Sequence, residues 1–281
     1  MNSYNPNNGN EIPWFEQENV DDFSSVPEKF SEPAISLHER GYCILETGAK
    51  ESLIDEVNEG IFKHLKKDNP KLNPEYYHYN SSPRIIEAWK HIPSITALAN
   101  NKNVLDFLEI MYQREPLPFS TINFLKSSEQ PLHSDYMHFS SIPERYLCGV
   151  WFALEDIHED SGPLAVVEDS RQLPILTIDN LGLRIPKNTK ELKSNYTVYE
   201  DKVREIVNLN SLHKKQVTIK KGQCLIWAAN TLHGGSPINN PSLTRKSLVV
   251  HYHFSGCKYY NPGFSSFKDD KIAERKLEII K

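Results

Sequence analysis

A mainly β domain with flanking helices is the fold class this sequence predicts, on three observations. Two stretches with apolar residues at helical spacing lie within the first 112 residues. From Pro116 onward, short runs rich in β-branched and aromatic residues follow one another between turn residues. A Pro- and charge-rich stretch ending in a helical pattern interrupts those runs between about 170 and 213.

Residues 1–34 are rich in Asn, Glu, Pro and Ser, a composition that buries little surface, so an extended or flexible segment without chemistry is expected. A helical lead-in over 35–116 follows. In ESLIDEVNEGIFKHLKK (51–67), Leu53, Val57, Ile61 and Leu65 stand four apart and form the stripe of an amphipathic helix. A second helix is predicted over 95–112, with Leu98, Leu105, Leu108 and Tyr112 on one side. The β core then runs over 117–256 through STINFLK, the segment around HSDYMHF, YLCGVWFAL, GPLAVVE, KQVTIKKGQCLIWAA and RKSLVVHYHF. The insertion at 170–213, with its helix TVYEDKVREIVNLN, is too long for an ordinary connection and is a candidate lid. With no internal repeat and no composition break, 35–281 reads as a single domain.

The 281 residues carry 32 Lys and Arg against 37 Asp and Glu, a formal charge of −5, which argues against a basic face for nucleic acid. The N-terminus lacks a basic and apolar leader, and no segment approaches the roughly 20 apolar residues of a membrane span. A cytoplasmic protein without a membrane partner is expected. Cys43, Cys148, Cys224 and Cys257 are scattered without a CxxC pair and read as free thiols.

The chemistry starts from HSD at 133–135. On a strand, residues two apart project from one face, so His133 and Asp135 would grip one metal from a rigid backbone. Alone the pattern is equally two polar residues at a strand end. The balance changes with LIWAANTLHGGSPINNPSLTRKSL, where a hydrophobic strand runs to His233, two glycines follow that would admit a ligand close to the backbone, and Arg245 comes twelve residues later. Two His and one carboxylate on one side of a metal leave the opposite side open, which suits iron(II) that must accept a bidentate oxoacid and dioxygen. An arginine suits the distal carboxylate of 2-oxoglutarate, because its planar guanidinium binds such a group bidentately. Ser236 would add a hydroxyl donor. The alternative for Arg245 is a surface salt-bridge former, which fits TRKS better than the head of the apolar run SLVVHYHF.

Other histidines compete for the third ligand position. His251 and His253 share strand parity with Arg245 unless a bulge intervenes, so they would line the interior as core or neighbouring groups. His138 is an odd number of residues from Asp135 and is expected to face away. His158, in DIHEDSG, is expected to be solvated, and His213 lacks comparable surroundings.

In SSEQPLHSDYMHF, VWFALEDIHEDSGPL, KKGQCLIWAANTLHGGSP and TRKSLVVHYHF, taken in order, the sequence resembles the phytanoyl-CoA dioxygenase family, over roughly 117–256 and more loosely over 35–116. The resemblance implies a double-stranded β-helix, or jelly-roll, core with N-terminal helices packed outside. It implies His133, Asp135 and His233 as iron ligands and Arg245 with Ser236 as the group binding the C5 carboxylate of 2-oxoglutarate. Ser236 stands three residues after His233, where related sequences commonly have two, so one residue is inserted in that turn. Asn123 or Lys126 occupies the place from which the family often supplies a polar group to the oxoacid, Lys126 being equally a solvent-facing lysine. Trp151 is either a contact to cofactor or substrate or a core aromatic.

The implied activity is that of an iron(II)- and 2-oxoglutarate-dependent dioxygenase that hydroxylates a small molecule and releases succinate and carbon dioxide. Asp135 favours hydroxylation over halogenation, because related halogenases place a small residue there; desaturation, cyclisation and epoxidation stay open. The alternatives are a jelly-roll protein that binds metal without turnover and another metal enzyme on a cupin-like barrel. The tyrosine-rich PEYYHYN and the basic Arg184, Lys187, Lys190 and Lys193 either flank a substrate pocket or are ordinary surface.

Overall fold

The computed structural model describes residues 12–17, 20–66 and 84–281; PEYYHYN and the side chain of Leu65 lie outside the described residues. In chain order the elements are α1 (Glu28–Arg40), β1 (Tyr42–Glu46), α2 (Glu51–Lys66), β2 (Ile85–Ile86), α3 (Pro93–Ala99), α4 (Lys102–Tyr112), β3 (Pro116–Phe124), β4 (Ser140–Ile142), β5 (Leu147–Ala153), β6 (Leu164–Val167), α5 (Thr189–Leu209), β7 (Lys214–Val217), β8 (Gln223–Ala228), β9 (His233–Gly235), β10 (Ser247–Phe254) and β11 (Lys258–Tyr260).

Six strands form the larger sheet in the order β1-β8-β5-β10-β3-β2, with antiparallel neighbours throughout. A smaller sheet runs β7-β6-β9, and β11 pairs with β4. Trp151, Leu225, Trp227 and Val249 of the larger sheet pack on Leu164, Val166 and Val217 of the smaller one, which makes the space between the sheets the interior of a jelly roll. The opposite face of the larger sheet is covered by α1 to α4. There Phe30, Leu37, Val57, Phe107 and Met111 pack on Cys148, Val150, Ile226, Leu248 and Phe254.

Local sequence explains the boundaries. Asn101 caps α4, its side chain accepting from the Val104 amide at 3.2 Å, and this cap divides the expected 95–112 helix into α3 and α4. Asn188 caps α5 in the same way through Glu191 at 3.0 Å, so that helix starts well before TVYEDKV. The N-terminal expectation is corrected: α1 already starts at Glu28, and Phe15, ahead of it, is fully buried and meets the Tyr112 ring edge-on at 5.1 Å. No described helix is long and apolar enough to cross a membrane.

Candidate active site

His133 and His233 face each other across a single antiparallel bridge, each amide donating to the other's carbonyl at 2.9 Å. This bridge ties the HSD segment to β9 and sets the two imidazoles 4.5 Å apart, centroid to centroid. Nδ1 of His133 lies 2.9 Å from Pro131 O and Nδ1 of His233 lies 3.0 Å from Thr231 O. A carbonyl only accepts, so both Nδ1 atoms carry the proton and both Nε2 atoms present a lone pair. Those atoms lie 4.0 and 3.7 Å from Asp135 Oδ1. The three ligand atoms fall within 4.8 Å of one another, and all three residues are buried.

Asp135 opens a short 3₁₀ turn, Asp135–Met137, whose N-cap Ser134 is extended; the expectation of a continuous strand through HSDYMHF is corrected accordingly. The Ser134 hydroxyl accepts from the Tyr136 amide at 3.1 Å, which starts the turn locally. From α5, the Tyr199 hydroxyl accepts from the Ser134 amide at 2.7 Å. Asp135 Oδ2 receives Trp227 Nε1–H at 2.7 Å and lies 3.3 Å from His251 Nε2. Burial opposes ionisation of Asp135, but His233 and His251 outweigh it and hold the carboxyl far below its usual range. Burial pushes the His133 and His233 pKa values down, so neutral imidazoles face a carboxylate.

The triad opens into a cavity of about 440 Å3 between the sheets. Arg84, Arg245 and Arg275 line it, together with Ile86, Ile122, Phe124, Phe139, Leu164 and Val249. Arg245 is 2% exposed, and its Nε, like Trp151 Nε1, has no hydrogen-bond partner among the described residues. A cation in that position without a partner calls for an anion.

Residues 37–247 match the sequence profile of the family described as phytanoyl-CoA dioxygenase (PhyH). The chain belongs to the phytanoyl-CoA dioxygenase family. Two curated relatives are the peroxisomal phytanoyl-CoA dioxygenase of Rattus norvegicus, 24% identical over 207 residues, and a probable phytanoyl-CoA dioxygenase of Caenorhabditis elegans, 23% identical over 210. Each match takes in 74% of this chain and only 54% and 60% of the relative. Among solved structures, apo EctD from S. alaskensis superposes with a TM-score of 0.65 at 16% identity, covering 96% of this chain and 91% of its own. The epimerase SnoN of nogalamycin biosynthesis, solved with Fe3+, alpha ketoglutarate and nogalamycin RO, gives 0.64 at 15%, covering 90% and 98%. These likenesses establish the double-stranded β-helix fold.

Within this family frame, the structure brings together some of the expected site residues and separates others. His133, Asp135, His233, Arg245 and Trp151 line one cavity. Asn123 does not join them: its register partner on β10 is Leu248, so it projects to the helix-covered face, away from Ile122 and Phe124. Lys126 donates to Pro241 O at 2.6 Å, outside the cavity. Ser236 is buried, with a hydroxyl that has no partner among the described residues, but it stands just past the end of β9 and is absent from the cavity wall. The two glycines serve the protein's own chain: a Cβ on Gly234 would sit 2.6 Å from Gln130 O, and one on Gly235 2.7 Å from the Glu129 amide.

His138 corrects the parity argument. The 3₁₀ turn rotates it into the cavity, where its Nε2 lies 3.2 Å from the Tyr196 hydroxyl and burial lowers it to about 4. His251 keeps the parity of Arg245, whereas His253 stacks between Phe119 at 4.3 Å and Tyr259 at 3.7 Å, beyond a register shift in the β10–β3 pairing. His158 and His213 are exposed, as are Arg184, Lys187, Lys190 and Lys193, none of which lines the cavity. Sequence reasoning passed over Trp227, whose signal is Gly149 directly opposite it on β5: any side chain there would collide with the indole.

Proposed function

We propose that this chain is an iron(II)- and 2-oxoglutarate-dependent dioxygenase that hydroxylates a small molecule, releasing succinate and carbon dioxide. The observation that carries the reading is one cavity holding both a buried 2-His-1-carboxylate triad and a buried arginine whose Nε has no hydrogen-bond partner among the described residues. Two neutral nitrogens and one carboxylate oxygen form a donor set that fits iron(II) and leaves coordination positions for an oxoacid. His133, Asp135 and His233 would hold the metal, which when bound supplies activation of dioxygen coupled to decarboxylation of 2-oxoglutarate.

The other groups have positioning roles. Arg245 takes the distal carboxylate of the oxoacid, with Phe124 and Trp151 packed 5.4 Å from its guanidinium carbon and keeping water from it. Trp227 and His251 hold Asp135 by Oδ2 and leave Oδ1 towards the two imidazoles. Ile122, Phe139, Leu164 and Val249 keep the reacting region apolar. The 170–213 insertion, through Tyr199 of α5, fastens the Asp135 turn and covers one side. The presence of Asp135 favours hydroxylation over halogenation. A cytoplasmic setting belongs to the same proposal, supported by four free cysteines.

The test is an anaerobic titration of purified protein with iron(II) and 2-oxoglutarate, read by the visible metal-to-ligand charge-transfer band. The band is expected in wild type, absent in His133→Ala, and displaced to much higher 2-oxoglutarate concentration in Arg245→Ala. Iron binding without such a band in wild type would sink the oxygenase reading and favour a metal-binding jelly-roll protein.

A further inference from the structure

The cavity is cationic at two separate ends. At one end Arg245 and Arg84 lie 5.4 and 5.9 Å from the Phe124 ring, and Arg84 donates to Gln130 Oε1 at 2.5 Å. At the other end Arg275 lies 4.8 Å from the Phe139 ring and 5.3 Å from Phe119. Phe119 and Phe124 stand five residues apart on β3, which separates the two ends by roughly 15 Å of strand. A five-carbon diacid held by Arg245 and the metal does not reach Arg275, so that guanidinium is free for a second molecule.

Arg275 is delivered to the cavity on purpose-built backbone. It lies beyond the last strand, in a C-terminal tail fastened by the Arg275 amide to Tyr259 O at 2.8 Å and the Ile280 amide to Pro118 O at 2.9 Å. Arg275 is exposed overall; its guanidinium reaches the cavity and, among the described residues, makes no hydrogen bond and no ion pair. The Glu87 carboxylate lines the same cavity and its charge reaches Arg275, but it forms no ion pair with that guanidinium and accepts instead from Trp89 Nε1 at 2.7 Å, the Thr121 amide at 3.0 Å and Ser120 Oγ at 3.1 Å. Between Arg275 and the metal ligands lies an aromatic path: Phe139 sits 5.0 Å from His251, which sits 3.3 Å from Asp135. Ile86 and Ile122 wall the same region.

We propose that Arg275 anchors the carboxylate of the substrate, which is therefore a small monocarboxylic acid whose apolar body lies along Phe139 towards His251 and the metal triad. The inference rests on the oxygenase reading for what happens at the far end of that body. A single guanidinium without a second cation or a helix N-terminus beside it matches one carboxylate better than a phosphate dianion. Its seat over two phenyl rings preorganises it, so binding an anion there requires little side-chain ordering.

The test is calorimetric binding of 3-phenylpropanoate, trans-cinnamate and octanoate, each paired with its primary amide, to the full chain with and without saturating 2-oxoglutarate. At least one acid is expected to bind, its amide about tenfold or more weaker, and Arg275→Gln to weaken that acid by a similar factor while Arg275→Lys recovers part of it. The acid's affinity should be unchanged by 2-oxoglutarate, and thermal melting of both variants should match wild type. Equal binding of acid and amide, wild-type binding by Arg275→Gln, displacement of the acid by 2-oxoglutarate, or no binding by any of the acids would each overturn the proposal. The titration needs no iron, so its failure is distinct from absence of the charge-transfer band, which bears on the oxygenase reading alone.

Discussion

On one face of β10, Leu248, Val250, Tyr252 and Phe254 are fully buried against the helical layer, and the polar tip among them, Tyr252 OH, donates to Ala99 O at 2.6 Å. On the other face, Arg245 just before the strand and His251 within it are also buried, yet Arg245 Nε and His251 Nδ1 have no partner among the described residues. The same eight-residue strand thus separates a layer that stabilises the fold from a layer that costs stability in the absence of ligand. A buried polar group without a partner costs about 1–3 kcal/mol, so a side of the sheet that keeps several is maintained for what it binds. On the helix-covered face, Asn123 with both amide atoms unpartnered and Thr121 with its hydroxyl unpartnered are exceptions among the described residues, and nothing in the structure explains them.

The comparison is tested most severely at the metal triad. His133→Ala should abolish succinate formation from 2-oxoglutarate to background while leaving the urea midpoint of the ligand-free protein unchanged or raised, since neutral buried donors are being removed. A large loss of stability would show that the triad is structural. The converse substitution is Phe254→Ala, whose ring stacks on Tyr112 at 3.8 Å in the dry layer. It should cost about 3–5 kcal/mol by denaturant unfolding, with the 2-oxoglutarate dissociation constant unmoved at temperatures where the variant is folded.

Arg245→Leu sharpens the contrast, because it should act in opposite directions on binding and on stability. Affinity for 2-oxoglutarate is expected to fall about 100-fold, as for loss of a desolvated charge-assisted contact. The ligand-free protein should gain about 1–3 kcal/mol, since a lone buried cation is replaced by a hydrocarbon. Burial, aided by Arg84, lowers the Arg245 pKa, yet a guanidinium keeps its proton in proteins. The advantage of Arg245→Leu should therefore be the same at every pH at which the protein stays folded.

What the sequence revealed divides along the same line. His133, Asp135, His233 and Arg245 were legible because each is fixed by a local pattern: a two-residue spacing, a strand end, the head of an apolar run. The helical lead-in and the strands around YLCGVWFAL and SLVVHYHF were legible from periodicity, and the helix over 189–209 was found only in part because its cap, Asn188, stands ahead of the apolar stripe. Asn123 rested on the resemblance alone, and without the β10 register that pairs it with Leu248 the sequence does not show which face it takes. His138 was misplaced because a strand was assumed where Ser134 starts a 3₁₀ turn. Arg84 and Arg275 were out of reach, since their place beside the cavity depends on tertiary packing with no local signature.

Trp227 offers the finest test, because it lies in the interior by packing and in the site by a single N–H. Its indole rests over Gly149 and donates to Asp135 Oδ2 at 2.7 Å. Trp227→Phe keeps most of the apolar contact and removes the donor. Loss of a group that orients a metal ligand typically weakens metal binding 10–100-fold. With His251 still 3.3 Å from the same oxygen, a loss of about tenfold in iron(II) affinity is expected, together with a shifted charge-transfer band and a stability change within about 1.5 kcal/mol. A merely structural tryptophan would show the reverse, a marked fall in stability with the iron titration and the band unmoved. In that case the hydrogen bond would have to be counted with the dry layer, and the division between the two faces would run through Asp135 itself.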